Sequence, residues 1–274
     1  MTIAKVCTIA GSAARGGAGI QADLKTFQEL GVFGMSAITA MVATHPETKQ
    51  GIFIQPLEVI EAQLSTIYEQ GDIAALKTGM LFSKEIIEFV ANWLQSTAIQ
   101  HIVVDPVMFG KVGSALLDFD AMDTLKTKLI PQAKIITPNM PEASYLLGGA
   151  EINSLAQLKE AARALFELGP QYILVKGGRL QDMAVDVLYD GNRMIFLEAP
   201  RIDTIHTNGA GCSYSAAITA GLANGLSMKE SVIQAKKFVT AGIRRAIPFE
   251  KVAGMIDHRA FKKYGEDEVT LYNS

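Results

Sequence analysis

The sequence predicts a three-layer α/β fold, with helices on both faces of a mostly parallel sheet that ends in an antiparallel edge hairpin. Three observations carry this expectation. The strand-like runs are continuously apolar and do not alternate, as in strands covered on both faces. Amphipathic helical stretches lie between them, the alternation that builds a doubly wound sheet. Late in the chain, 186–202 breaks the rhythm with two short strand patterns around Tyr189-Asp190-Gly191-Asn192, and Asp-Gly is a strong hairpin signal.

Taken in order, strands are expected at 5–10, 35–43, 74–78, 102–104, 134–137 and 172–176. A helix is expected from about Ile20, after a glycine-rich turn. The stretch 57–70 places Ile60, Leu64, Ile67 and Tyr68 on one helical face. The stretch 154–168 opens with Ser154 and Gln157 in capping-box spacing and closes at Gly169-Pro170. A helix of small residues is expected after Gly209-Ala210-Gly211, running to about Asn224. Another spans 227–244, opening on Ser227 and Glu230 with a stripe through Val232, Ala235, Val239 and Ile243. The polar stretch after Lys251 carries no clear pattern.

With 274 residues, 49% of them apolar, the chain can build one large α/β domain over residues 1–274. The net charge is −3 and no basic block occurs, which excludes the usual signature of nucleic-acid binding. The first residues read as a strand and not as a secretory signal, and no apolar run is long enough to span a membrane. Cys7 and Cys212 lie far apart, so no disulfide framework is expected and a reducing cytoplasm fits best.

In open α/β sheets ligands sit at the carboxyl ends of strands, and five unusual stretches follow strands. The first, Gly11 to Gly19, is glycine-rich and precedes a helix, where free backbone N–H groups can face a ligand. It also matches the dinucleotide fingerprint G-x-G-x-x-A, but the next strand runs out at Thr44-His45-Pro46 without the acidic residue that fingerprint needs. The second, Thr207 to Ala217, sets Gly209, Ala210 and Gly211 at a helix start, an anion hole suited to phosphoryl transfer. Cys212 in the first turn would lose its proton more easily there and could accept one from a substrate hydroxyl; the plain alternative is a small buried cysteine. The third, Asp105-Pro-Val-Met108, offers a carboxylate for Mg²⁺ or merely a loop cap, and the stretch from Phe109 to Ser114 after it suits a lid. The fourth holds Asn139 and Glu142 at a helix entrance, where capping is the plain alternative. The fifth is Lys176-Gly177-Gly178, a point charge for phosphates.

Walker A, protein-kinase, zinc-ligand and G-x-S-x-G patterns are missing from the sequence. His45, His101, His206 and His258 are scattered and read as surface or satisfied histidines.

Together the stretches occur in the order Ala10-Gly-Ser…Gly-Gly-Ala-Gly-Ile-Gln-Ala-Asp-Leu-Lys-Thr-Phe27, Lys77-Thr-Gly-Met-Leu81, Asp105-Pro-Val-Met108, Ile136-Thr-Pro-Asn-x-x-Glu-Ala143 and Gly209-Ala-Gly-Cys212. In this order the chain resembles the hydroxymethylpyrimidine/phosphomethylpyrimidine kinases and the Gram-positive pyridoxine (vitamin B6) kinases, over nearly its whole length. The resemblance implies a ribokinase-like αβα sandwich that uses ATP and Mg²⁺, with a monovalent cation as an allowed companion and a homodimer as an allowed assembly. The γ-phosphate would pass to the hydroxymethyl group of a small heteroaromatic alcohol. By the same resemblance Asn139, Lys176, Gly177, Gly178, Asp186, Gly211 and Lys236 face the nucleotide. Glu142 and Asp105 serve the metal, and Ser12, Gly19, Asp23 and Thr44 lie on the substrate side. Cys212 stands where most ribokinase relatives carry an aspartate base.

Three positions depart from the pattern. Ala13 follows Gly11-Ser12 where the family usually has Asp, and Gly110 replaces the lid cysteine of some B6 kinases. Thr44 stands where the pyrimidine kinases carry a glutamine, and it lacks the paired donor and acceptor of an amide. This favours a B6 vitamer over the pyrimidine. A nicotinamide-dependent oxidoreductase and a non-catalytic sensor are the readings from other classes.

Overall fold

A computed structural model describes residues 2–48, 51–109, 117, 119–178, 180 and 183–273. Ten strands form one sheet in the order β10-β9-β8-β7-β6-β5-β4-β1-β2-β3. These are β1 (Lys5–Ala13), β2 (Phe33–Val42), β3 (Ile52–Ile54), β4 (Ile73–Thr78), β5 (Ile102–Val104), β6 (Ile135–Ile136), β7 (Tyr172–Gly177), β8 (Met183–Tyr189), β9 (Met194–Pro200) and β10 (Thr270–Asn273). The six strands from β2 to β7 in the sheet order run parallel. Antiparallel strands close both ends: β3 beside β2, and β8, β9 and β10 beyond β7.

The helices are α1 (Ile20–Glu29), α2 (Leu57–Tyr68), α3 (Lys84–Gln95), α4 (Phe119–Thr124), α5 (Met140–Leu146), α6 (Leu155–Phe166), α7 (Ala210–Ala223), α8 (Met228–Arg244) and α9 (Ala260–Tyr264). One face of the sheet packs Cys7, Ile9, Leu76 and Val104 against Ile60, Leu64, Ile86, Val90, Leu158 and Leu165 of α2, α3 and α6. The other packs Val6, Val103, Ile135 and Leu174 under α1, α7 and α8. Successive residues of β1 thus serve opposite faces, which is why its sequence is apolar without alternation. Helix α7 runs through the middle of that second layer and is buried from Ser213 to Leu222. Its small residues let α8 approach so closely that a side chain at Gly221 would collide with Ser231.

Most expected elements form within a residue or two of their predicted limits. At Gly191 (φ 92°) the hairpin turns as expected, and Asp190 Oδ1 accepts the N–H groups of Asn192 (2.9 Å) and Arg193 (2.6 Å). The capping box at Ser227 and Glu230 is complete. The one expected at α6 is half-formed. Ser154 accepts from Gln157 N–H, but the Gln157 side chain answers to Asn153 N–H at 2.8 Å and not to that of Ser154. Strands β3 and β10 escaped the sequence pattern. The segment after Lys251 is structured, with Ile256 and Ala260 buried. Of the lid expected at 109–114, residues 110–114 lie outside the described residues. Among the described residues no helix is long and apolar enough to cross a membrane.

Candidate active site

The carboxyl ends of β1, β4, β5, β6 and β7 bring five polar segments side by side above the start of α7. Two glycine turns form the floor. Gly209 caps α7 in the left-handed region (φ 82°), and a Cβ there would overlap the carbonyl oxygen of Gly17. Gly19 (φ 59°) begins α1 and presses against the Gly11 carbonyl in the same way. Only glycine permits both approaches. The backbone N–H of Gly19 reaches the sulfur of Cys212. The first N–H groups of a helix lack intrahelical partners. That of Ala210 goes to Thr207 C=O at 3.2 Å, leaving those of Gly211 and Cys212 without a helical carbonyl.

Asp105 follows β5 and anchors the centre. Its Oδ1 accepts from Thr137 Oγ1 (3.1 Å) and Lys176 Nζ (3.2 Å), and its Oδ2 from Ser215 Oγ (3.2 Å). Burial works against its charge, but Lys176 and Lys77 outweigh this and hold its carboxyl below the usual range. Lys176 extends over α7, its Nζ 3.4 Å from where a Gly211 Cβ would stand. Asn139 and Glu142 form a complete capping box on α5, so their capping alternative is realised. The same geometry fixes Glu142 close enough to Lys176 and Asp105 to feel both. Burial dominates at Glu142 and pushes its carboxyl up to about 7. Two neighbouring carboxylates are therefore pushed apart, Asp105 towards the ionised form and Glu142 towards the protonated one.

Behind this row Asp23, expected on the substrate side, forms a fully buried ion pair with Lys77, for which the sequence implied no role. Lys77 Nζ meets Asp23 Oδ2 at 2.9 Å, and Thr8 Oγ1 donates to the same oxygen at 2.6 Å. Asp23 Oδ1 is buried with no partner. A lysine completing an apolar strand, at the head of Lys77-Thr-Gly-Met-Leu81, is the available signal. Ser12 is buried and accepts from Gln21 Nε2 at 2.7 Å.

The remaining expected residues are placed differently. Asp186 and Lys236 pair with each other at 2.7 Å. Asp186 also accepts from Gly177 N–H (3.0 Å) and Tyr214 Oη (2.9 Å), so both its oxygens are engaged. The pair thus fixes the end of β7 from beneath. Gly178 is exposed just past β7, and Thr44 is exposed two residues past β2, outside the bonded cluster.

The expectation of an easily ionised Cys212 needs correction. The residue keeps a partly open face, yet enough protein surrounds the sulfur that burial pushes the thiol up to about 11. Lys77 and the Gly19 N–H pull the other way and lose. Cys7 is buried core as expected, its thiol raised to about 12.

The residues fit a magnesium ion. Glu142 carries an uncompensated burial that a cation would relieve, and the donors are hard oxygens. Among the described residues no cluster of three or more metal-ligating side chains occurs. Two carboxylates suit Mg²⁺, which keeps waters and takes substrate phosphates as ligands. A surface cavity of about 620 Å³ lies at the opposite end of the sheet, lined by Tyr172, Arg193, Ser227 and Lys229 among others, and holds none of these groups.

The sequence matches the phosphomethylpyrimidine kinase family over residues 14–257. Pyridoxine kinase of Bacillus subtilis (strain 168) is 43% identical over 266 residues, covering 96% of this chain and 98% of that protein. The hydroxymethylpyrimidine/phosphomethylpyrimidine kinase of Streptomyces coelicolor is 42% identical over 253 residues, covering 92% and 93%. The fold superposes on pyridoxal kinase from Staphylococcus aureus, solved in complex with AMP-PCP and pyridoxal, with a TM-score of 0.93 at 39% identity over 100% of both chains.

Proposed function

This chain belongs to the phosphomethylpyrimidine kinase family, and from that premise we propose that it transfers the γ-phosphate of ATP to the hydroxymethyl group of a B6 vitamer. It is a small-molecule kinase, a phosphotransferase acting on an alcohol, so the oxidoreductase reading is set aside. One observation carries the mechanism: the start of α7, the Lys176 ammonium and the Asp105 carboxylate are tied into one cluster. Migrating phosphoryl charge needs fixed N–H donors and a cation in place beforehand. The N–H groups of Gly211 and Cys212 and the Lys176 ammonium supply them. Ionised Cys212 takes the proton of the substrate hydroxyl. Asn139 and Lys176-Gly177-Gly178 border the nucleotide, and Ser12, Gly19, Asp23 and Thr44 border the ring.

The preference for a B6 vitamer over hydroxymethylpyrimidine rests on Thr44, whose hydroxyl cannot match both a donor and an acceptor on an aminopyrimidine edge. The two groups of relatives, at 43% and 42% identity, do not separate these substrates. ATP consumption measured with pyridoxal, pyridoxine and hydroxymethylpyrimidine decides. Turnover with the B6 vitamers is expected; turnover with the pyrimidine alone overturns the preference. Binding of ATP and ring without turnover would mark a sensor. The proposal includes a cytoplasmic setting for the two free thiols.

Glu142 and Asp105 would hold Mg²⁺, which neutralises phosphate charge when bound. Replacing Glu142 with Gln should raise the Mg²⁺ concentration for half-maximal activity by about tenfold or more. In the unaltered protein that concentration should rise as pH falls through about 7, because proton and cation compete for the same carboxylate. The Gln variant should lose this pH dependence. An unchanged Mg²⁺ titration would remove Glu142 from the metal site.

A further inference from the structure

The segment 254–258 touches both glycine turns, and no step described above uses it. Asn208 N–H donates to Gly254 C=O at 3.1 Å, and Ile256 N–H donates to Asn208 C=O at 3.3 Å, so the segment pairs with the residue just before Gly209. Gly254 N–H donates to His206 Nδ1 at 2.7 Å. Met255 packs so tightly on the first turn that a Cβ on Gly17 would overlap its sulfur. Asp257 N–H donates to Gly242 C=O at 3.0 Å, fastening the segment to α8. It ends at His258, 6% exposed, whose Nε2 lies 2.9 Å from the oxygen of fully buried Ser213. Ser213 directly follows Cys212, and its N–H closes the first turn of α7 on Gly209 C=O at 2.9 Å.

We infer that His258 is a positioning residue for Cys212, and that its hydrogen bond to Ser213 sets the orientation of the first turn of α7. Four hydrogen bonds hold the surrounding backbone, and the His258–Ser213 bond is the side-chain tie that reaches the turn carrying the thiol and the anion-hole N–H groups. Burial and nearby Lys25 hold the imidazole down at about 4 against the pull of Asp257, so it is neutral at working pH and the tie does not switch. A displacement of about 1 Å in such a site costs on the order of a hundredfold in rate. Partial release of the turn should cost less.

The inference rests on the kinase reading, and its test has a readout that does not. Replacing His258 with Leu should lower kcat about tenfold with little change in the KM for ATP. His258→Gln, whose amide reaches the position of Nε2, should restore most of the rate. Ser213→Ala removes the same bond from the other side, so it should match His258→Leu, and the double variant should be no slower than either. Additive losses, or Gln no better than Leu, would reduce His258 to a structural residue. Alkylation of Cys212 by iodoacetamide at pH 8, with Cys212→Ser as the blank, needs no turnover. It should slow several-fold in His258→Leu and recover in His258→Gln, because the displaced thiol leaves the Gly19 N–H and the field of Lys77. Unchanged alkylation with reduced kcat would refute positioning of the thiol. Should His258→Leu fail to fold, the Ser213→Ala variant alone reports the same quantities.

Discussion

Replacing Cys212 with Ala is expected to lower kcat by about 10²–10⁴-fold, the usual range for removing a proton acceptor, while ATP affinity stays within about threefold. The thiol adds a proton acceptor to the site and nothing to the cluster formed by Asp105, Lys176 and the start of α7. Steady-state kinetics with a nucleotide titration separates the two effects. Equal losses in kcat and ATP affinity would mean that the substitution had distorted the phosphate site and that Cys212 is no base. The pH profile adds an independent sign. Burial holds the free thiol at about 11, so the ionised fraction increases about tenfold per pH unit below that value. Turnover of limiting substrate should therefore climb from pH 7 to 9 in the unaltered protein, and the climb should vanish in the Ala variant.

Replacing Lys77 with Met should have the largest effect on stability. Lys77 and Asp23 are both 0% exposed and bonded at 2.9 Å. Removing one member leaves a buried carboxylate with only Thr8 to satisfy it, a change that costs about 3–5 kcal/mol. In a chain of this size this corresponds to a fall in the melting midpoint on the order of 10 °C. Burial already raises the Asp23 carboxyl despite Lys77, and without the ammonium it rises further. A group whose folded-state pKa is raised favours the folded state at low pH, so the loss should shrink as pH falls towards 5. Lys77→Met combined with Asp23→Leu removes both charges and should recover much of the midpoint. Activity should not recover, since Lys77 is the foremost of the groups pulling the Cys212 thiol down. A single variant with an unchanged midpoint would show that the pair carries no net stabilisation.

What the sequence revealed and what it hid divide along a physical line. The strand at 102–104 and the Asp190-Gly191 hairpin were readable because apolar continuity and turn chemistry are local. Strands β3, β6 and β10 have three, two and four residues. Strands this short are defined by their partners, and only β6 sat in an apolar run long enough to be seen. Most of the site was legible as strand-end residues, and Asp105, Asn139, Glu142, Lys176 and Cys212 do converge. Lys77 and Asp23 lie 54 residues apart in sequence, and nothing local announces their union. The expectation of an acidic thiol at Cys212 followed from its helix start alone. Burial, a tertiary property, reversed it. Asp186 and Lys236, placed on the nucleotide side by the family resemblance alone, are joined to each other in the fold, a pairing that no local pattern announces.

The dependence of Gly17 and Asn208 on Met255 sets a timetable for biosynthesis. Domains generally fold as units during synthesis, and here both glycine turns lean on a segment made long after them. A chain that has not yet released 254–258 lacks the brace for its phosphate-handling loops, so catalytic competence should depend on this late-made segment.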